Sequence, residues 1–390
     1  MGSLSHTGLP DAESSDLVLT HPTQDEKYAT WQLNSKEWKG ALSEEDYLRR
    51  EPYMETVPLS KDGGMQHWVL TTGAIPEGSK RTVLSSCETI RKRVLVGDAA
   101  GQIKEGIAYG VGSVFTDPSL RGNRYGARML RELGKMLRNG AEPPGCQQQI
   151  PLASALWSDI GKQFYAKKGW PAYPSLHVTF AIPGGIAAGD AEAARHARLI
   201  TYDNLKEFCD LDEKLMREQL AKPRSDGKMK FCFAPDYDIM RWHLYRDDVI
   251  AKALFKERGP TEMKGAVAGP DGKRVWVLWV RNFHENPQET AKNKMYILRL
   301  VIEDEAAPAE ELARSFAAVM GKAHEYARDW KLGKIDLWNP TAPISSLIEA
   351  CGLESEIVER HVDSIPSMMW YGKDEGEHVE WVANEKYCWN

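Results

Sequence analysis

The segment from Phe115 to Arg128, FTDPSLRGNRYGAR, constrains this chain more than any other stretch. A strand ends at Thr116, Asp117-Pro118 turns the backbone, and a loop rich in Gly and Arg runs directly into an amphipathic helix. In that helix Met129, Leu130, Leu133, Met136 and Leu137 share one face, while Arg128, Arg131, Glu132, Lys135 and Arg138 face away. Asn139-Gly140 supplies the stop. Successive backbone N–H groups in such a turn form a concave anion site, and the helix N-terminus adds partial positive charge. Gly122 and Gly126 let the backbone approach a phosphate closely, and Arg121 and Arg124 supply charge. The pattern predicts a pyrophosphate-binding loop. It is not the GxxxxGK[ST] loop, which is absent. Nor is it a dinucleotide fingerprint, because Gly110-Val111-Gly112 lies inside a strand and Phe115 stands at the third glycine position.

Strands are expected at 17–20, 66–72, 82–96, 106–116, 151–157 and 176–182, with helices at 23–38, 43–54, over the Met129–Leu137 stripe up to Asn139-Gly140, and at 161–168. After PGGIAAGDAEAA at 183–194, the order repeats. A strand at 198–202 is followed by helices at 203–220 and 236–255, then strands at AVAG, 275–283 and 295–303. A helix at 309–330, a strand at 334–338, a helix at 345–351 and a strand at 367–372 close the series. This reads as two copies of one α+β unit. The boundaries are a flexible leader at 1–16, a first domain at 17–183, a linker at 184–197 and a second domain at 198–390. At 390 residues the chain is long enough for two such cores, and 42% hydrophobic with 27% charged residues fits a globular protein. A net charge of −6 argues against a general nucleic-acid binder, and no apolar run reaches the ~18 residues of a membrane span.

A second motif follows the loop by about forty residues: Ser158-Asp159-Ile160-Gly161-Lys162-Gln163-Phe164-Tyr165-Ala166-Lys167-Lys168-Gly169-Trp170. It resembles N-x-x-A-x-x-[L/F]-Y-x-x-x-G-F of the GNAT N-acetyltransferases, with Ser158, Gly161 and Trp170 as departures. The loop Arg121-Gly122-Asn123-Arg124-Tyr125-Gly126 resembles that superfamily's [R/Q]-x-x-G-x-[G/A], with Arg124 at the first glycine position. LTHPTQDE and GSVFTDPSLRGNRYGARM make the first half most similar to the fungal lysine N6-acetyltransferase family.

The resemblance implies a GNAT fold, a mixed and mainly antiparallel sheet flanked by helices, followed by a second, degenerate GNAT-like domain. It implies acetyl-CoA as co-substrate and a small amine acceptor, L-lysine first among them, acetylated by direct attack. The histidine spacing implies no metal, and the scattered cysteines with no basic-then-apolar signal segment point to the cytoplasm. Val114, Phe115 and Thr116 would pair with the pantetheine arm. Arg121 to Gly126 would hold the pyrophosphate, Ser158 would flank the CoA arm, and Tyr165 would return a proton to the departing thiolate. Polyamine, xenobiotic-amine and protein-lysine acetylation remain open at this stage, as does a non-catalytic CoA-binding role.

Plainer roles exist for the same residues. Tyr165 on an apolar face could be a packed core tyrosine, and Ser158 could simply cap a helix. Trp276, Trp279 and Trp338 fall within strands and read as core. The histidines show no metal spacing, and the six cysteines lie far apart without CxxC. The general base is not identified; Glu88 and Glu105 are candidates by location. The second half lacks the loop: Glu303 to Glu310 reads EDEAAPAE, whose carboxylates would repel a pyrophosphate. It would instead wall the acceptor site, with the tail from Glu377 to Asn390 taking part, or merely bury apolar surface.

Overall fold

The computed structural model describes residues 8–73, 81–140, 151–182, 192–258, 261–372 and 379–390. The first seven residues of the leader, most of the expected linker, Cys146 and the start of the acidic tail lie outside these. The first half runs β1 (Leu17–Thr20), α1 (Gln24–Trp38), α2 (Glu44–Thr56), β2 (Met65–Thr72), β3 (Ser85–Gly97) and β4 (Ile103–Phe115). It continues through α3 (Tyr125–Arg138), β5 (Pro151–Ser158), the single turn α4 (Gln163–Ala166) and β6 (Leu176–Ala181).

The second half begins with β7 (Arg198–Ile200), α5 (Tyr202–Leu220), β8 (Met229–Phe233), α6 (Tyr237–Leu254) and β9 (Gly265–Ala268). Then follow β10 (Val275–Asn282), β11 (Lys294–Ile302), α7 (Ala309–Asp329), β12 (Lys334–Trp338) and α8 (Ala342–Ala350). The chain closes with β13 (Ser355–Glu359), β14 (Ile365–Trp370) and β15 (Val379–Trp381).

The two halves build the same topology. In the first sheet β1, β2, β3, β4 and β5 lie in that order, antiparallel except for the β4–β5 pair. In the second, β7, β9, β10, β11 and β12 do the same, with β11 and β12 parallel. Each parallel pair needs a crossover, and α3 and α7 provide them. Each half also opens with a strand followed by a capped helix. Thr23 and Glu26 form a capping box on α1, and Thr201 and Asn204 form one on α5. The expected α+β class with two related units is the observed one.

The sixth position of each sheet is filled from the other half. β14 pairs with β5 in the first sheet, and β6 inserts between β12 and β13 in the second. Strand 176–182 therefore does not complete the first sheet, as its place in the chain suggested; it completes the second. Phe180 and Val178 bury in that second core, and Thr179 Oγ1 donates to Asp336 at 2.8 Å. β8 and β15, absent from the sequence reading, extend the first sheet beside the end of β3.

Trp276, Trp279 and Trp338 are fully buried, as their strand positions required. One apolar cluster lies under α7, another fills the space between the two sheets, and a third packs under α3. At roughly 25 cal/mol per Å² of apolar surface removed from water, burial on this scale is the main term holding the halves together. A buried ion-pair network adds specificity: Arg299 on β11 holds Asp212 on α5 at 2.8 Å and also pairs with Glu385 of the tail.

Candidate active site

β4 carries one extra residue opposite β3. Phe115 faces Ser86, whereas Gly112 faces Glu88, so Ser113 and Val114 of β4 lie opposite Cys87 alone on β3. Ser113 takes the bulge with φ of 50°. On the other edge, pairing with β5 stops at Val111–Leu156. From that point the two parallel strands part, leaving the β4 edge from Gly112 to Phe115 without a strand partner on that side among the described residues. An extended chain can enter this opening and bond to the free edge, as a further strand would.

The loop after β4 stands at the mouth of the opening. Thr116 Oγ1 meets Ser85 Oγ at 3.0 Å, and Arg121 Nε donates to the Thr116 carbonyl at 3.2 Å. Asn123 Nδ2 donates to Leu120 O at 3.0 Å, closing the turn. Gly122 has φ of 90°, and no heavy atom of the described residues lies within 4 Å of where a Cβ would stand. Arg124, at the position where the superfamily pattern has its first glycine, adopts φ of 65°. A side chain in this region costs about 1 kcal/mol or more. The first intrahelical donor of α3 is Arg128 N–H, so the N–H groups of Tyr125, Gly126 and Ala127 are not consumed by the helix. Helix α3 has no side-chain cap. Free donors, open space at Gly122, and the half-exposed guanidinium groups of Arg121 and Arg124 fit a diphosphate group.

Several residues named from the sequence have further attachments. The Tyr125 hydroxyl donates to the Pro10 carbonyl at 2.7 Å, Arg128 donates to the Ala12 and Ser14 carbonyls, and Arg131 pairs with Glu13. The described part of the leader is thus strapped along α3, and Ala12 is buried. Val114 is half-buried beside the apolar cluster under α3, and the Phe115 ring packs edge-on to Trp38 under the Arg121 guanidinium. Ser158 is turned into its own loop, donating to Gly161 O at 2.7 Å and accepting from Ile160 N–H at 3.2 Å.

Tyr165 packs in the same cluster as Val111 and Leu156, the last paired residues before the strands part. Burial, with Asp159 and the Cys87 thiol adding to it, raises its pKa well above that of an ordinary phenol. It therefore holds its proton at neutral pH and can give it only to a strong base formed nearby. A thiolate expelled from a thioester is such a base.

On the opposite face of the first sheet lies what the sequence did not show. The tail threads between the halves: Tyr387 OH donates to Phe233 O at 2.8 Å, and His243 Nε2 meets Tyr387 O at 2.9 Å. Lys92 on β3 donates to Cys388 O at 2.8 Å and to Asn390 Oδ1 at 3.2 Å. Burial lowers the Lys92 pKa to about 7. Asn390 then reaches the middle of β4, where a Cβ on Gly110 would stand 2.0 Å from Asn390 Oδ1. The glycine pair 110 and 112 within a strand was the available signal for such a close approach. The two candidate bases separate. Glu105 is tied to Arg93 and Arg217, each at 2.6 Å, at the far end of β4, while Glu88 stands at the bulge.

Among the described residues no group of His, Cys, Asp or Glu is arranged to hold a metal ion, and no helix is long and apolar enough to cross a membrane.

Known proteins are similar to this chain. An uncharacterized protein of Saccharomyces cerevisiae, YGR111W, is 23% identical over 91% of this chain and 93% of its own length. A crystal structure of a probable N-acyltransferase from Enterococcus faecalis superposes with a TM-score of 0.51 at 10% identity, covering 90% of this chain and 71% of that one. A GCN5-related glucosamine N-acetyltransferase region of a fungal multi-domain β-N-acetylglucosaminidase gives a TM-score of 0.51 at 11% identity. It covers 92% of this chain and 38% of that one. At such identities these two structures share the fold with it. Residues 186–390 match the family described as the LYC1 GNAT-like C-terminal domain, which is more than half of the chain. With a bulged β4, parting parallel strands and a strand-to-helix anion loop in the first half, the chain belongs to the GNAT N-acetyltransferase superfamily and, within it, to the LYC1 family.

Proposed function

We propose that the protein moves an acetyl group from acetyl-CoA to the side-chain amine of L-lysine or a similar small amine, in the cytoplasm. The observation that carries this reading is the opening between β4 and β5, with the unconsumed N–H groups of α3 at its mouth and a protonated Tyr165 in its wall. Acetyl-CoA supplies the activated acyl group. Residues 121–126 would receive its pyrophosphate, the β4 edge at Val114 and Phe115 with Thr116 just beyond it would align the pantetheine arm, and Ser158 would flank it. Tyr165 would protonate the thiolate as the C–S bond breaks. Holding amine and thioester at contact distance supplies much of the acceleration, without a covalent enzyme intermediate. The four described cysteines that are fully buried suit that route, since burial keeps a thiol protonated and unreactive.

L-lysine as first acceptor rests on the LYC1 family match and on the wording of the first half. The second domain would bind no CoA of its own. Before α7 the chain offers Pro308 and acidic residues in place of a glycine turn, and Glu303 is already held by Arg274. The test is thiol release from acetyl-CoA against L-lysine, ornithine, spermidine and a histone-tail peptide. Selective turnover with lysine supports the full reading, turnover with another amine alone rejects the acceptor, and silence with every amine rejects the activity.

A further inference from the structure

A small cleft of about 10 Å³, room for one water-sized group, opens between α1 and the face of β2 and β3, with Ser113 of the β4 bulge at its edge. Its floor is Glu88. Ser113 Oγ donates to Glu88 Oε1 at 2.6 Å, so the extra residue in β4 turns a hydroxyl onto this carboxylate. Glu88 Oε2 lies 3.8 Å from His67 Nδ1, and His67 Nε2 lies 2.8 Å from Glu55 Oε1. Glu55 is itself held by Lys27 at 2.7 Å and reaches the surface. On the α1 side, two buried groups have no partner among the described residues: the Trp31 indole N–H and Asn34 Oδ1. An apolar wall would have served if this space were packing alone; buried groups of this kind are normally bonded.

We infer, resting on the acetyl-transfer reading above, that this cleft takes the ammonium head of the acceptor amine, with Glu88 accepting its proton and His67 and Glu55 forming the outlet to solvent. Three features support this arrangement. The cleft adjoins the bulge where β4 turns away from β3, next to the opening between β4 and β5. A Cβ placed on Gly112 would meet Asn390 Nδ2 at 2.9 Å and Glu88 Oε1 at 3.6 Å, so the tail amide and the carboxylate converge on one point of β4. The Trp31 ring already carries one ammonium, Lys27 Nζ, 5.2 Å from its centroid, which shows that this wall suits cationic nitrogen.

The step balances. An alkylammonium gives one proton to Glu88, its nitrogen forms a bond to the acetyl carbon, and the C–S bond breaks. The second nitrogen proton leaves by the same carboxylate, and Tyr165 protonates the sulfur, so one proton is released net. Burial keeps Glu88 protonated more readily than an ordinary carboxyl, with His67 opposing this and Glu51 adding to it. A carboxylate of raised pKa is the stronger base. The groups facing Glu88 are His67 from β2, Arg50 and Glu51 from α2, Ser113 from β4 and Asn390 from the tail.

The experiment is a pH–rate profile of acetyl transfer for the full chain, with the best amine of the panel, alongside stabilisation by acetyl-CoA. Glu88→Gln should lower turnover at pH 7 by at least about 100-fold. Its rate should then climb about tenfold per pH unit toward the acceptor's own pKa, while stabilisation by acetyl-CoA stays as in the parent. His67→Gln should displace the acidic limb of the profile. Glu88→Gln turnover within threefold of the parent, with an unchanged profile, overturns the inference and leaves the acetyl-transfer reading intact. Should Glu88→Gln not fold, an unmoved profile in His67→Gln overturns it equally. A parent protein that acetylates none of the amines removes both the inference and the reading it rests on.

Discussion

Replacing Arg299 with Leu should cut the tail loose from both halves. Arg299 is 7% exposed and bonds Asp212, which is fully buried, through Nε and Nη2 at 2.8 Å each. It also pairs with Glu385, which is 3% exposed and bonds the backbone N–H of Leu300 at 3.0 Å. The substitution would leave two buried carboxylates without their counter-charge. Breaking a buried pair in this way costs about 3–5 kcal/mol. Unfolding entropy is roughly 2.1 cal/mol/K per residue, so over the whole chain the melting temperature should fall by about 4–6 °C. The loss should also depend on pH in a definite direction. Burial raises the Glu385 pKa and Arg299 opposes it, so without Arg299 the folded value climbs further above the unfolded one. The folded state then binds more protons than the unfolded state between those two values, and stability falls as pH rises through that window. The deficit should therefore shrink toward pH 5 and widen toward pH 8. Thermal melts of parent and variant across that range measure it. A loss under about 1 kcal/mol, or one that widens toward acid, would refute the account of Arg299 as the shared counter-ion of α5 and the tail.

Other perturbations test other parts. Tyr165→Phe should lower turnover by about 100-fold or more with little change in acetyl-CoA affinity, and unchanged turnover would remove the proposed acid role. Gly126→Asp puts a carboxylate beside Thr116 Oγ1, which a Cβ there would already meet at 3.2 Å. It should abolish the thermal stabilisation by acetyl-CoA, which in the parent should be about 2.7 kcal/mol at one hundred times the dissociation constant. Expressed alone, residues 1–183 should not give a cooperative melt, because β14 is missing from the sheet. Mixed with residues 184–390 they should regain one, and a stable, monomeric first fragment would contradict the exchange.

Much of the fold was legible because it is written locally. VWVLWVRNF can only be a buried strand, and the stripe Leu312, Phe316, Val319, Met320 and Ala323 can only be a packed helix face. Short edge strands were missed: β13 has four exposed residues out of five, so it carries little apolar pattern. The exchange of β6 and β14 was invisible for a different reason. Alternation in LHVTFAI says that a strand forms and which face is apolar, but the partner is chosen by strands elsewhere in the chain. At the site, the anion loop was readable from its glycines and arginines, since backbone chemistry dictates those residue types. The bulge was not, because Ser113 in a left-handed conformation leaves no compositional trace. Glu88 did leave one. A carboxylate in the middle of SSCETI is costly to bury, and such a residue calls for a purpose; only the fold showed His67 and Ser113 beside it.

The exchanged strands also set a timetable for synthesis. β5 emerges from the ribosome with its outer edge bare, and its partner β14 follows about 200 residues later. At about 5–20 residues per second, that edge waits roughly 10–40 s for its cover. During that interval PLASALWS, which is buried along its whole length in the finished protein, is an open template for any other strand. A nascent chain of this kind should depend on chaperones in proportion to how slowly its second half is translated. Ribosome-bound fragments ending near residue 340 should associate far more readily than those carrying Trp370.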